Sequence, residues 1–448
     1  MSRHGEEPVD HWLARWKAER VRRNESAGYG DLTVNRGRLR VEATDEEASV
    51  TPLELFFDLV FVLALTQVTA YLAEHLTVEG IIRGLLLVAV LWWSWVGYSW
   101  LGNVVRADEG IVREVMLAAM ATMFIFALAI PEAFDDLPGG LYGPVVVPVC
   151  YLIFRLLHLT MFWIVSRDDP GLRKQVIRFA PSVLVATAIL VVAAGTTGTV
   201  QTVLWAAALA ADYVGTLLGG ATGWRLPSAR HFAERHGLII IVALGESIVA
   251  IGVGIATLPI SAPIIVGAIL GLVVSGALWW IYFDVTAALA ERALTEARDV
   301  ERARLARDAY SYLHLPLITG IVLLALGLKK VLEYVGGAGS HDLSDSLTGW
   351  GLFGLVGGVV LYLVGHVAFK WRSQNKLSWA RLVAAAVLVA TTPVLGRLPA
   401  LATLAVVALI SAALVVYETI HYAELRDKVR HEQHRHAAMP SDGGGPPP

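Results

Sequence analysis

The sequence predicts an all-α integral membrane protein of about twelve transmembrane helices, arranged as two parallel six-helix repeats with both termini cytoplasmic. Three observations carry this expectation: an apolar composition with long apolar runs, an alternation of Lys and Arg between successive loops, and a span-by-span likeness between the two halves. The chain has 448 residues, 56% of them hydrophobic and only 17% charged. Soluble domains average about 45–50% apolar and 25% charged residues. Many apolar runs approach or exceed the ~20 residues that cross a bilayer as a helix. These figures argue against a soluble enzyme or a disordered chain, and the formal net charge of -3 argues against a nucleic-acid partner. The single cysteine, Cys150, permits no intramolecular disulfide and makes a thiolate metal cluster a poor expectation. The first 50 residues are polar and lack the apolar core of a secretory signal.

Gly, Pro and charge clusters divide the apolar sequence into spans at about 53–76, 80–102, 111–131, 143–166, 178–197, 200–220, 237–258, 262–288, 309–328, 347–369, 380–396 and 399–421. The fifth and sixth share a short Gly-Thr connection, and the eleventh is short and contains Pro393. Cytoplasmic loops collect Lys and Arg. The N-terminal segment, the loops after even-numbered spans and the C-terminal tail together hold 31 of the 36 Lys and Arg, against 3 in the loops after odd-numbered spans. Arg83 and Arg155 lie inside spans. A missed or invented span would scramble this alternation, so both termini are expected in the cytoplasm.

The halves match in order. VLALTQV at 62–68 pairs with VALGES at 242–247, and GLLLVAVLWW at 84–93 with GLVVSGALWW at 271–280. YLIFRLLHLTMFW at 151–163 pairs with VVLYLVGHVAFKW at 359–371, aligning His158 with His366 and Trp163 with Trp371. Arg113-Glu114 opens the third span as Arg307-Asp308 opens the ninth. With an even number of spans in each half, both halves enter from the same side, as parallel repeats. Transporters commonly place their sites at such repeat interfaces. The expected organisation is a polar cytoplasmic segment at 1–50, repeats at 51–221 and 222–421, and a disordered cytoplasmic tail at 422–448.

Charged groups inside a bilayer cost at least ~2.5–3.5 kcal/mol on insertion scales, so they face the bundle interior and take partners. The first span carries Glu54 and Asp58 one turn apart on one face, with Gln67 on the opposite face. The fourth carries Arg155 and His158, the sixth Asp212, the seventh Glu246, and the eighth Asp284 close to His366 in depth. Either these residues form ion pairs that order the helices, with Glu246 or Asp212 serving Arg155, or they line a proton, ion or substrate path. The acids outnumber the buried Arg155 five to one, which leaves carboxyls over. His314, which precedes the Leu315-Pro316 pair, reads as a hydrogen-bonded kink residue. Gly245, Gly252 and Gly254 give the seventh span a small-residue surface, read as tight packing at Gly252 and Gly254.

Two motifs resemble the bacterial low temperature requirement A (LtrA) family: Glu54-Leu55-Phe56-Phe57-Asp58-Leu59-Val60-Phe61-Val62, and His231-Phe232-Ala233-Glu234-Arg235-His236-Gly237-Leu238 followed by Ala243-Leu244-Gly245-Glu246-Ser247. The resemblance covers roughly residues 50–420. It implies a multi-pass protein of the bacterial cytoplasmic membrane, linked by name to growth in the cold, and supplies no biochemical activity. A looser likeness connects the acid in the first span to six-plus-six potassium channels, although Gly237 stands where the second repeat would need the acid.

The leading expectation is a secondary transporter or proton/ion-coupled permease for a small solute or ion. Glu246 and Asp58 are its coupling or substrate groups, Arg155 and His158 their partners, and Glu234 with Arg235 a cytoplasmic gate pair. A cation channel or leak is the alternative, and a structural or sensory membrane protein a further one. A membrane-embedded enzyme ranks lower. H-x-x-E-R-H is not the zinc motif H-E-x-x-H, and no phosphate loop or nucleophile elbow is present. No cofactor or metal is expected. The bilayer is the one certain partner, and a homo-oligomer stays open. Trp12, Leu13 and Trp16 place an amphipathic face within residues 8–23, readable as a membrane-surface helix or a solvated leader. His431, His434 and His436 sit in a tail read as disordered.

Overall fold

The computed structural model describes residues 44, 48–339, 341–424 and 426. The amphipathic segment at 8–23 and the histidines of the tail lie outside them. The described elements are helical: α1 Pro52–Glu74, α2 Val78–Val104, α3 Gly110–Ala129, α4 Gly143–Val165, α5 Pro170–Ala194, α6 Gly198–Gly219, α7 Ala229–Ile255, α8 Ala262–Phe283, α9 Thr286–Glu296, α10 Asp299–Leu305, α11 Leu315–Val335, α12 Gly349–Leu352, α13 Gly358–Gln374, α14 Trp379–Leu395 and α15 Ala400–His421. Among the described residues, eleven helices are long and apolar enough to cross a membrane. The helix at the eleventh expected span, α14, has 17 residues and falls short of that length.

Side-chain caps set several helix starts. Thr51, Thr77, Asp169, Ser228 and Ser261 each accept a hydrogen bond from a backbone amide of the first turn, which satisfies a donor the helix itself leaves open. Gly220 (φ 74°) follows α6 and Asn375 (φ 52°) follows α13, both in conformations that stop a helix. Two π-helical segments, Ala306–Tyr312 and Phe353–Gly357, interrupt the second half. The first ends just before Pro316, which has no amide to donate and whose ring crowds the carbonyl four residues back, so the turn there widens. His314 sits at this break, with Nδ1 3.0 Å from the Ala309 carbonyl and Nε2 2.9 Å from the Tyr282 hydroxyl, in keeping with a hydrogen-bonded kink residue.

The outer faces are apolar. Val192, Val200, Leu218, Ile269, Leu409 and Ile420 are all exposed. Water would penalise so much exposed apolar surface, and lipid does not. Among the spans, Val78–Val104 and Asp299–Val335 are the most buried, which places one helix from each half at the centre. α1 packs on α2 and α3, α2 on α6, α3 on α4, α4 on α5, and α5 on α6. In the second half, α7 packs on α8 and α11, α8 on α15, α11 on α13, α13 on α14, and α14 on α15. The halves meet through α1 and α2 against α7 and α11.

Small residues allow the closest approaches. A Cβ at Gly320 would lie 2.7 Å from the Gly358 carbonyl oxygen, and one at Gly327 would overlap the Leu355 backbone. On α7 only one of the two glycines expected to pack tightly does so. A Cβ at Gly254 would lie 3.0 Å from the Lys329 carbonyl oxygen, whereas Gly245 and Gly252 have open space around them.

Candidate functional site: buried charge between helices

The two motif segments meet in space. α1 begins with a capping box: Thr51 Oγ1 accepts from the Glu54 amide, and the Thr51 amide donates to Glu54 Oε2 at 3.0 Å. This fixes the Glu54 carboxylate at the helix start and turns Oε1 towards α7. Asp58 follows one turn later. On α7, His231 and Arg235 are also one turn apart, so two acids on one helix face a histidine and an arginine on the other.

Arg235 spans both acids, donating from Nη1 to Glu54 Oε1 at 2.7 Å and from Nη2 to Asp58 Oδ1 at 2.9 Å. His231 Nε2 lies 3.0 Å from Glu54 Oε2. The Asn103 amide nitrogen lies 3.3 Å from His231 Nδ1 and donates to the Ser228 carbonyl at 2.6 Å. Because an amide NH₂ only donates, His231 Nδ1 accepts, and Nε2–H is left to point at Glu54. Trp95 Nε1 donates to Asp58 Oδ1 at 2.8 Å, and its ring lies under the Arg235 guanidinium. Glu54, Asp58, His231 and Arg235 are all at most 2% exposed. Among the described residues, Asp58 Oδ2 and Arg235 Nε have no hydrogen-bond partner. Two carboxylates thus share one guanidinium, an excess of one negative charge that one proton or cation would balance. Gly102 makes room for the cluster, since a Cβ there would lie 2.5 Å from Glu54 Oε1.

This geometry corrects the gate expectation. Arg235 does not pair with its neighbour Glu234, which instead holds Arg230 at 2.9 Å on the exposed side of α7. Successive helical residues point about 100° apart, so one enters the seam and the other leaves it.

Further along α1 and α7, Thr66 Oγ1 donates to Glu246 Oε2. Glu246 is 1% exposed, and among the described residues it makes no ion pair. Gln67, beside Thr66, is half-buried. Ser247 turns to α8, with its hydroxyl 2.8 Å from that of Ser275.

The remaining carboxyls have arginine partners. Asp212 pairs with Arg155 at 3.2 Å, accepts from Ser182 Oγ at 3.3 Å, and accepts from the Tyr151 hydroxyl. Of the two acids expected to serve Arg155, it is Asp212 that does. His158 lies one turn on, with Nε2 2.9 Å from the Gly97 carbonyl oxygen. Asp284 is gripped by both sides of the Arg426 guanidinium, Nε to Oδ1 and Nη2 to Oδ2, each at 2.8 Å. It does not face His366, whose Nδ1 meets Arg381. Arg381 in turn holds Glu418, Nε to Oε1 at 2.8 Å and Nη2 to Oε2 at 2.9 Å.

The expected five-to-one excess of acids over buried arginine therefore does not hold. Arg235, Arg381 and Arg426 stand near span ends in the sequence and were counted with the loops, yet each is less than 10% exposed. The reciprocal one-turn spacing of Glu54/Asp58 and His231/Arg235 was a signal for the first of these pairings. The roles of Trp95, Asn103, Arg381 and Glu418 had no such signal, because each depends on how one helix is rotated against another, α2 against α1 and the start of α7, and α14 against α15.

Comparison with known proteins bears on the same residues. The family model described as bacterial low temperature requirement A protein (LtrA) matches residues 49–416, a stretch containing the whole Glu54–Asp58–His231–Arg235 cluster and Glu246. An uncharacterized protein of Rhizobium meliloti (strain 1021) is 27% identical over 397 residues, covering 87% of this chain and 92% of that protein. With eleven apolar helices long enough to cross a bilayer, this is a multi-pass membrane protein, and by the match over most of its length the chain belongs to the bacterial LtrA family.

Proposed function

We propose that the protein is a secondary transporter or proton/ion-coupled permease for a small solute or ion, built from two parallel six-helix repeats with both termini in the cytoplasm. The observation that carries this reading is the polar seam between α1 and α7. Glu54 and Asp58 cross to Arg235 and His231 at one level, and Thr66 crosses to Glu246 about 12 Å further along, eight residues at 1.5 Å each. Buried ionisable groups at a helix interface mark ion or proton pathways in membrane proteins.

The repeat reading is supported by the recurrence of helix neighbours. The six pairings described above for the first half, from α1 with α2 through α5 with α6, each have a counterpart in the second, whereas the contact of α2 with α4 has none of comparable extent. The last helix of each half also carries an acid bound to an arginine, Asp212 to Arg155 and Glu418 to Arg381. Sites at the interface of parallel repeats suit alternating access, in which one half rocks against the other around a fixed centre. In this reading Glu54, Asp58, His231 and Arg235 form a latch with room for one proton, and Glu246 is the second coupling group. Arg155, His158, Asp212 and Asp284 act mainly in holding the helices together. Gln67, Gly245 and Ser247 flank Glu246 without an assigned step.

Proteoliposomes loaded with a pH-sensitive dye provide the test. Under an imposed Na⁺ or K⁺ gradient the wild type moves protons above the rate of empty liposomes. Asp58→Asn and Glu246→Gln each lower that rate about tenfold, while Glu234→Gln leaves it unchanged. Wild-type rates equal to empty liposomes, or folded variants that match the wild type, would overturn the proposal.

A further inference from the structure

A cavity of about 40 Å³ lies where α2, α4 and α5 approach the π-helical turn that precedes α11. It is lined from both halves of the chain, by Gly97, Trp100, Arg155 and His158 from the first and by Arg307 and Ser311 from the second, and the rest of its wall is chiefly apolar and aromatic. Its charged lining residues are two arginines, each paired with a carboxylate set back from the wall, Arg155 with Asp212 at 3.2 Å and Arg307 with Asp308 at 2.7 Å; among the described residues no carboxylate itself lines it. Arg307 and Ser311 both come from the widened π-helical turn, a distortion that often marks functional positions. Ser311 Oγ accepts from Trp100 Nε1 at 3.0 Å, which ties the turn to α2.

Two lining side chains each hold a buried nitrogen without a partner among the described residues, Arg155 Nε and His158 Nδ1. Their hydrogen-bonding needs are opposite. Arg155 Nε can only donate. His158 Nε2 lies 2.9 Å from the Gly97 carbonyl oxygen, which only accepts, so the ring proton is on Nε2 and the neutral ring presents Nδ1 as an acceptor. Gly97 keeps this wall thin: a Cβ would lie 3.1 Å from His158 Nε2 and 3.3 Å from Arg155 Nη1. A molecule that satisfies both nitrogens must accept at one atom and donate at another.

We propose that the cavity binds a small monoanion that retains one hydroxyl group, of the hydrogencarbonate type. An anionic oxygen accepts from Arg155 Nε and the hydroxyl donates to His158 Nδ1, while the balancing charge comes from Arg307 and Arg372, two guanidiniums that share the single carboxylate of Asp308. The cavity exceeds the roughly 10–15 Å³ needed to hold one water, so it has room for a few waters or one small planar oxyanion. This binding does not require the transport reading, and it can be read in micelles where no flux exists.

The test uses the full-length protein in detergent, with thermal unfolding followed during titration by sodium hydrogencarbonate or sodium nitrate at constant pH and ionic strength. Nitrate matches hydrogencarbonate in charge, planarity and heavy-atom count but has no hydroxyl. The expected result is a saturable rise in Tm with hydrogencarbonate, with nitrate about tenfold weaker. His158→Gln, whose amide nitrogen can still donate to the Gly97 carbonyl but whose acceptor oxygen no longer sits at the Nδ1 position, should equalise the two anions. Ala303→Leu, which fills the cavity, should abolish the saturable rise. If Ala303→Leu does not fold, His158→Gln decides. No saturable shift with either anion would mean that the cavity holds water only and would overturn the proposal. So would equal response to the two anions in the wild type, or a hydrogencarbonate preference that survives His158→Gln.

Discussion

Arg235 on α7 and Asp58 on α1 stand 177 residues apart in the chain, and their side chains meet at 2.9 Å with both residues fully buried. Glu54 shares the same guanidinium. Removing the arginine leaves two uncompensated carboxylates, whereas removing one acid leaves the other pair intact. Arg235→Gln should therefore cost about 3–5 kcal/mol, the range for breaking a buried pair, and Asp58→Asn clearly less. Thermal unfolding in detergent measures both, and equal losses would contradict the shared-guanidinium geometry.

Gly102 offers a way to disturb this cluster without removing a charge. An added methyl group would press on Glu54 Oε1 at 2.5 Å. Gly102→Ala should displace the carboxylate and destabilise by about 1–3 kcal/mol, the usual cost of overpacking. Pairing it with Glu54→Ala should remove most of that penalty, and a double-variant cycle reads the coupling.

The Arg381–Glu418 contact is two-pronged, and a lysine cannot reproduce it. Arg381→Lys keeps the charge but loses one prong and the approach to His366. A loss of about 1.5–3 kcal/mol is expected, as for a hydrogen bond to a charged group. Unfolding that is indistinguishable from wild type would mean that charge alone suffices.

Two helical glycines should respond in opposite directions to alanine. Gly327→Ala drives a methyl group into the Leu355 backbone and should destabilise by at least about 1–3 kcal/mol. Gly252→Ala meets open space and should be neutral or stabilising by up to about 1 kcal/mol through helix propensity.

Orientation can be read by cysteine labelling, because the native Cys150 is buried. In intact cells a membrane-impermeant maleimide should label Gly140→Cys, in the loop before α4, and should spare Gly171→Cys, at the start of α5. The reverse pattern would invert the proposed topology.

The apolar composition and the lengths of the runs determined that the chain is helical and resides in lipid, because a backbone crossing a bilayer must satisfy its own hydrogen bonds. The motif residues Glu54, Asp58, His231, Glu246 and Ser247 were legible as family positions. The sequence also gave weight to the costly buried groups, since a charge inside an apolar run is conspicuous. Tertiary structure decided which partner each charge takes. Arg235 and Arg381 lie within the first two turns of α7 and α14, where a linear count of basic residues cannot tell a solvated arginine from one turned inward. The direction depends on helix rotation, and rotation is set by packing against helices distant in sequence. The same packing paired Arg155 with Asp212, turned Glu234 outward to Arg230, and left Glu246 facing the hydroxyl of Thr66.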